Sequence, residues 1–249
     1  MPKRGFQSRK WSKRGRDRRA ERKAAIKRRR AAYTSAAIFG PRLGQIMPPK
    51  AFTKLVFSDL RVFTTGNGLE NQVYMVNGLF DPTISGATGS SLAQPRGLDQ
   101  MAKFYRRYLV NACHVFTYCH NGSTYAVRVN QICSAGSSPI TTDIHKDAEQ
   151  PFTKSVVLGS TGAKTVGHLR QYHKMASIYG DAELDPSDYG ALVTANPDKQ
   201  VYCSVETGAF NVGSGAAKNV QLVTEVVYYV MFYDLRPLTV STGADEPSG

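Results

Sequence analysis

From about residue 43 onward, apolar residues fall in short runs separated by Gly, Pro, Asn and Asp. That is the look of an all-β sandwich or barrel rather than of alternating βαβ units. The stretch from Phe52 to Thr64 alternates with a period of two: Phe52, Val56, Leu60 and Val62 lie at even positions, interrupted by Lys54 and Ser58, while Thr53, Asp59 and Arg61 lie at odd ones. The even positions are therefore its apolar face.

Further strands are predicted over Gln72 to Val76 and Tyr108 to Tyr118. The latter is followed by His120-Asn121-Gly122-Ser123, and Asn-Gly between apolar runs is a strong hairpin signal. Its partner strand would be Thr124 to Ile132, with Tyr125, Val127 and Val129 on one face and Arg128 and Asn130 on the other. Weaker strand patterns cover Lys154 to Leu158 and Lys164 to Tyr172, and a firmer one covers Gln200 to Glu206. The longest run, Val220 to Leu235, is apolar on both faces. A strand buried on both faces belongs in the middle of a sheet. Helical signals are confined to Leu98–Arg107, which follows Pro95-Arg96-Gly97, and to Thr142–Glu149. The expectation is about eight strands, two short helices and long loops at 81–97 and 174–198, with no internal repeat.

Charge changes this picture by dividing the chain. The 249 residues carry 32 Lys and Arg against 19 Asp and Glu, a net +13. Residues 1 to 30 alone hold fifteen basic residues and two acids, Asp17 and Glu21, so the remaining 219 residues are neutral, with seventeen of each sign. Three zones follow: a basic arm (1–42), a body (43–237) and a polar C-terminal tail (238–249). A block of like charge with few apolar residues cannot bury enough surface to order itself, so the arm is expected to be disordered until it meets a polyanion. Within it, Asp17 to Ala32 is rich in Ala, Arg, Lys and Glu without Gly or Pro, and can become helical once neutralised. The body is long enough for one sizeable core. There is no apolar run of about 18 residues for a membrane span, and the N-terminus lacks the apolar segment of a signal peptide. The expected location is the cytoplasm or nucleus, without membrane insertion. Cys113, Cys119, Cys133 and Cys203 contain no C-x-x-C pair and read as buried small hydrophobes.

The chemistry that the residues support is binding. His114, His120, His145, His168 and His173 do not take metal-ligand spacing. Cys113 and Cys119 would lie about 20 Å apart along one strand, too far for one ion. No metal site or other cofactor is expected, and none of the nucleophile-elbow, zinc-protease, phosphate-loop or dinucleotide motifs occurs, so no enzyme is predicted. Asp181, Glu183, Asp185 and Asp188 read as a solvated acidic loop, and Asn121-Gly122-Ser123 as a turn rather than a glycan acceptor. The arm is the strong functional signal. Lys3, Arg4, Arg9, Lys10, Lys13, Arg14, Arg16, Arg18, Arg19, Arg22, Lys23, Lys27, Arg28, Arg29 and Arg30 are placed to neutralise phosphates in a salt-sensitive, sequence-independent way. Arg predominates and binds phosphate bidentately. Phe6 and Trp11, the single Trp, sit among these charges, and Trp11 is a candidate for stacking on unpaired bases. The same basic clusters would serve nuclear import, which is compatible with nucleic-acid binding.

Three stretches together carry a family resemblance: Asn77-Gly78-Leu79-Phe80-Asp81-Pro82, Gln94-Pro95-Arg96-Gly97-Leu98-Asp99-Gln100 and Tyr105-Arg106-Arg107-Tyr108-Leu109-Val110. They resemble capsid proteins of circovirus-like viruses, whose small circular single-stranded DNA genomes encode a replication initiator. There a strand ends near Asp-Pro, a Gln-Pro-x-Gly turn follows, and a short helix leads through Tyr into the next strand. Tyr229 to Pro237 is similar to the last strand of that fold and its exit. The resemblance implies an eight-stranded viral jelly roll of two antiparallel sheets. It also implies a T=1 icosahedral shell of about 60 identical subunits, found in the virion and the host nucleus. Its partners would be copies of itself, a single-stranded DNA genome (RNA when the protein is expressed alone) and the nuclear import machinery. About 60 arms of +13 would supply on the order of 800 positive charges to a genome of one to a few thousand phosphates. The alternative is a monomeric nuclear or ribosomal nucleic-acid-binding protein whose β-sandwich recognises a partner.

Overall fold

The computed structural model describes residues 47–64, 69–83, 94–136, 143–210 and 219–237. All belong to the unit Met47–Gly249. Their strands are β1 (Lys50–Phe63), β2 (Glu70–Met75), β3 (Tyr105–Asn121), β4 (Val127–Ala135), β5 (Thr153–Leu158), β6 (Val166–Lys174), β7 (Ala191–Leu192), β8 (Val201–Ala209) and β9 (Val220–Leu235). Four single-turn helices, α1 (Leu98–Ala102), α2 (Ile144–Asp147), α3 (Met175–Tyr179) and α4 (Pro186–Tyr189), lie between them.

The strands form two sheets. Sheet I has the order β1-β9-β3-β6, with the two-residue β7 added beside β3, and sheet II has the order β2-β8-β4-β5. Every pairing is antiparallel. Apart from the β4–β5 hairpin and the short β7, each step along the chain carries the next strand into the other sheet. Eight strands interleaved in this way form a jelly roll, the fold expected from the sequence.

The core lies between the sheets. From sheet I come Cys113 and Val115 of β3 and Val226, Tyr228, Val230 and Phe232 of β9; from sheet II come Tyr74, Val127, Val129, Cys133, Cys203 and Val205. A polar chain crosses this core: the Thr117 hydroxyl donates to Gln131 Oε1 (3.1 Å), Gln131 Nε2 donates to Gln171 Oε1 (2.9 Å), and Gln171 Nε2 donates to the Phe152 carbonyl (2.9 Å). Buried amides tolerate displacement badly because an unmade hydrogen bond there costs about 1–3 kcal/mol, so the chain fixes the register of one sheet over the other.

The stretches that carry the family resemblance are structural fasteners. Asn77 donates through Nδ2 to the Lys199 carbonyl (2.7 Å) and accepts from Val201 N–H (2.8 Å), tying the end of β2 to the start of β8. A side chain at Gly78 would place its Cβ 2.2 Å from Met75 Sδ. The Tyr108 hydroxyl accepts from Leu79 N–H and donates to the Ala195 carbonyl, both at 3.0 Å. Gly97 caps α1 with φ +94°, a conformation that disfavours any residue with a Cβ.

Four expectations are corrected by the tertiary structure. In β1 the even, apolar face points to solvent: Phe52, Leu60 and Val62 are at least half exposed and Val56 is 42 % exposed. Leu55 and Phe57 enter the core instead, and the inward polar residues are satisfied because Asp59 pairs with Arg61 (2.8 Å) and accepts from the Tyr74 hydroxyl (3.1 Å). Asn121-Gly122 is not a hairpin turn, since β3 pairs with β6, β7 and β9 whereas β4 pairs with β5 and β8. Asn121 instead holds a crossing between the sheets, donating to the Tyr125 and Gly159 carbonyls and accepting from Ser123 N–H. The Leu98–Arg107 helix stops at Ala102 because Tyr105 and Tyr108 are drawn into the core beside Phe232. Finally, β9 is central, as predicted, but it is buried on one face only; Val223, Val227 and Tyr229 remain partly exposed on the other.

The remaining predicted strands are present within a few residues of their expected ends. The Thr142–Glu149 prediction contracts to α2, whose N-cap Asp143 accepts from His145 N–H. The 174–198 segment is not an irregular loop, because it contains α3, α4 and β7. Of the 81–97 loop, residues 84–93 lie outside the described residues, as do the whole basic arm and the 238–249 tail.

Candidate functional site

The arm residues singled out above, Lys3 to Arg30 including Trp11, lie outside the described residues. The described part of the chain offers a second surface of interest, the outer face of sheet I. Strand register lays it out in rows running β1, β9, β3, β6. The rows are Lys54–Tyr229–Ala112–Lys174, Val56–Val227–His114–Tyr172, Ser58–Glu225–Phe116–Arg170, Leu60–Val223–Tyr118–His168 and Val62–Gln221–His120–Val166. At about 3.3 Å per residue and 4.8 Å per strand, these rows cover about 26 by 14 Å.

The face has two halves. The β1 edge is aliphatic, whereas the β3–β6 side is aromatic and cationic. Lys54 Nζ lies 5.0 Å from the centre of the Tyr229 ring and the Arg170 guanidinium 5.1 Å from that of Phe116. The His114 ring lies 4.2 Å from the Phe116 ring, and Tyr172 meets both His114 and Tyr229 edge-on. Arg170 Nε donates to His114 Nε2 (2.8 Å), and partial burial together with that guanidinium lowers the His114 pKa, so the ring remains a neutral acceptor. Among these rows Glu225 is the sole acid, against Lys54, Arg170 and Lys174. Three of the five histidines, His114, His120 and His168, sit here, dispersed over separate rows.

The outer face of sheet II is covered. The α2 segment lies over β4 and β8, where Asn130 Nδ2 donates both to the Ile144 carbonyl (2.7 Å) and to Glu206 Oε1 (2.6 Å). Glu206 and Asp147 are both sealed from solvent. Burial raises the Glu206 pKa from 4.5 to about 7; the Asn130 hydrogen bond opposes this and the neighbouring Asp147 adds to it. Gly208 completes the seat, because a Cβ there would come within 2.9 Å of Ile144 Cδ1. His145 rides on α2 with Nδ1 2.9 Å from Arg128 Nη1.

The other candidate groups are structural. Asp185 caps α4 by accepting from Ser187 N–H, Asp188 pairs loosely with Lys199 (3.8 Å), and Asp181 accepts from the Tyr189 hydroxyl. His173 points inward, and burial lowers its pKa to about 4. All four cysteines are free and buried, as expected. Burial pushes the Cys119 thiol up to about 12 and the Cys113 thiol well up too, which leaves them unreactive. Among the described residues no group of three or more His, Cys, Asp or Glu is arranged to hold a metal ion.

Two features escaped the sequence reading. Glu206 was legible as a lone acid inside the apolar run of β8, but its partners Asn130 and Asp147 are remote in sequence. The cationic and aromatic content of the sheet I face was present in the alternation His168, Arg170, Tyr172, Lys174; that these residues share a face with Lys54, Phe116, Tyr118 and Tyr229 follows only from strand register.

No protein-family model and no curated protein sequence matches the chain. Among solved structures, the chain is similar to a protein of maize chlorotic mottle virus (10 % identity over 78 % of this chain and 98 % of that one, TM-score 0.42). It is also similar to a protein of empty turnip yellow mosaic virus particles (11 % identity over 82 % and 92 %, TM-score 0.40). A third match is to mud crab tombus-like virus (14 % identity over 80 % and 96 %, TM-score 0.39). At these identities and scores the likeness extends to strand arrangement and assigns no family.

Proposed function

We propose that this chain is the coat protein of a small virus. Residues 43–237 associate with further copies into a closed T=1 shell of about 60 subunits, and residues 1–42 package a circular single-stranded DNA genome, with assembly in the host nucleus.

The observation that carries this reading is the interleaved strand order β1-β9-β3-β6 over β2-β8-β4-β5, the jelly roll used by viral shells, in a chain whose net charge of +13 is confined to its first 30 residues. A neutral body suits self-association, because like-charged copies repel at their contacts. The exposed aliphatic stripe of Phe52, Val56, Leu60 and Val62 adds apolar area of the kind that marks association surfaces. The arm supplies sequence-independent phosphate neutralisation, which accepts any genome sequence.

Negative-stain electron microscopy and size-exclusion chromatography of the purified chain test the proposal. Closed particles eluting in the void volume are expected, whereas a single 27.3 kDa species would favour the monomeric nucleic-acid-binding alternative. Deleting the first 30 residues should leave particles that no longer protect DNA from nuclease. Truncated particles that still protect genome-length DNA would refute the packaging role of the arm.

A further inference from the structure

We infer that the β3–β6 side of the sheet I outer face is a second, folded contact for single-stranded nucleic acid, formed by Lys54, Phe116, Tyr118, Arg170, Tyr172 and Tyr229. This goes beyond the packaging reading, which assigns nucleic acid to the arm alone.

Three observations select that occupant. First, the rings are available: Tyr118 and Tyr172 are each 52 % exposed, although a β-sheet face of this size usually hides its large rings. Second, the cations are paired with rings rather than with acids, as Lys54 lies against Tyr229 and Arg170 against Phe116. Surfaces that bind single strands combine stacking rings with cations in this way, the bases lying on the rings and the phosphates meeting the cations. Third, the charge balance favours a polyanion, with Lys54, Arg170 and Lys174 facing the single acid Glu225. The fully buried centre of a protein–protein contact is depleted of charge, so the same pattern argues against a second copy on this half. His114, held neutral by Arg170, leaves an imidazole ring that can stack without adding a titrating charge near neutral pH.

Continuity along the chain supports the same partner. The basic arm runs directly into β1, the strand that carries Lys54. A single strand captured by the arm is therefore tethered to the chain that presents the rings.

The test uses the full chain and an oligothymidylate about 20 nucleotides long carrying 5-iodouracil. Photocrosslinks mapped by mass spectrometry should include peptides bearing Phe116, Tyr118, Tyr172 or Tyr229; crosslinks confined to residues 1–42 would overturn the inference. In the double variant Lys54→Ala/Arg170→Ala, the slope of log affinity against log salt should fall by about 1.4, because each phosphate contact to a single strand contributes about 0.7. An unchanged slope overturns it as well. Iodination of Tyr118 and Tyr172 reads the face independently of folding defects in the variants. If these tyrosines are protected in nucleic-acid-free assemblies, another copy covers the face and the inference is wrong. A chain that stays monomeric yet crosslinks through the face would refute the shell and leave this contact standing.

Discussion

The two outer faces of the sandwich are built on opposite principles. On sheet II the chain folds back over its own strands, and Asn130, Glu206 and Gly208 lie beneath Ile144 and Asp147 of α2. On sheet I Phe52, Leu60, Tyr118 and Tyr172 stand in solvent. Burying polar groups demands that each find a partner, so the covered face has a single allowed arrangement and its residues act on stability. The bare face makes few demands on the fold, and its residues are free to act on partners. The contrast separates positions that hold the molecule together from positions that hold something else.

That contrast can be broken most forcefully at the seat of α2. Asn130→Ala removes the donor to both the Ile144 carbonyl and Glu206, leaving a carboxyl and a carbonyl buried without it. The expected loss is about 2–4 kcal/mol, read as a lower urea midpoint with an unchanged slope. Gly208→Val should lift α2 from the sheet and cost about 1–3 kcal/mol by overpacking. A loss below about 0.5 kcal/mol in both variants would show that the cover is dispensable.

A second test uses pH. The folded-state pKa of Glu206, about 7, lies above the ordinary 4.5, so between these values the folded protein holds a proton that the unfolded chain releases. The stability contributed by this proton is full below about pH 4.5 and is lost as pH rises through about 7. Denaturant titrations from pH 5 to pH 8 should therefore show a decline in stability that is reduced in Glu206→Gln. An identical profile in the two proteins would mean that Glu206 is ionised throughout. The smallest effect is expected on the bare face. Leu60→Thr and Tyr118→Ser should each change stability by no more than about 0.5 kcal/mol, while Leu60→Thr weakens self-association measured by light scattering. A larger stability loss at either position would mean that the face is covered within the folded chain.

Much of the architecture was legible in the sequence, for physical reasons that can be named. Period-two alternation and turn residues marked the strands because a pleated, half-buried strand selects them, and the run from Val220 to Leu235 announced a central strand. Strand polarity was a different matter. In β1 the apolar even positions misled: the burial of an inward Asp59 depends on Arg61 and on Tyr74 in the other sheet, and local pattern carries no record of a partner 15 residues away. The same limit applies to Asn121-Gly122, whose local turn chemistry is real but serves a crossing between sheets.

The sequence by itself determined the division into a +13 arm and a neutral body, the number and approximate places of the strands, and the absence of motifs with known catalytic mechanics, because charge, periodicity and spacing are properties of neighbours along the chain. Only the tertiary structure decided which side of β1 faces water, that Glu206 meets Asn130 and Asp147, and that the rings and cations of four strands form one surface. Those outcomes depend on strand register and sheet packing, which bring together residues more than 100 positions apart.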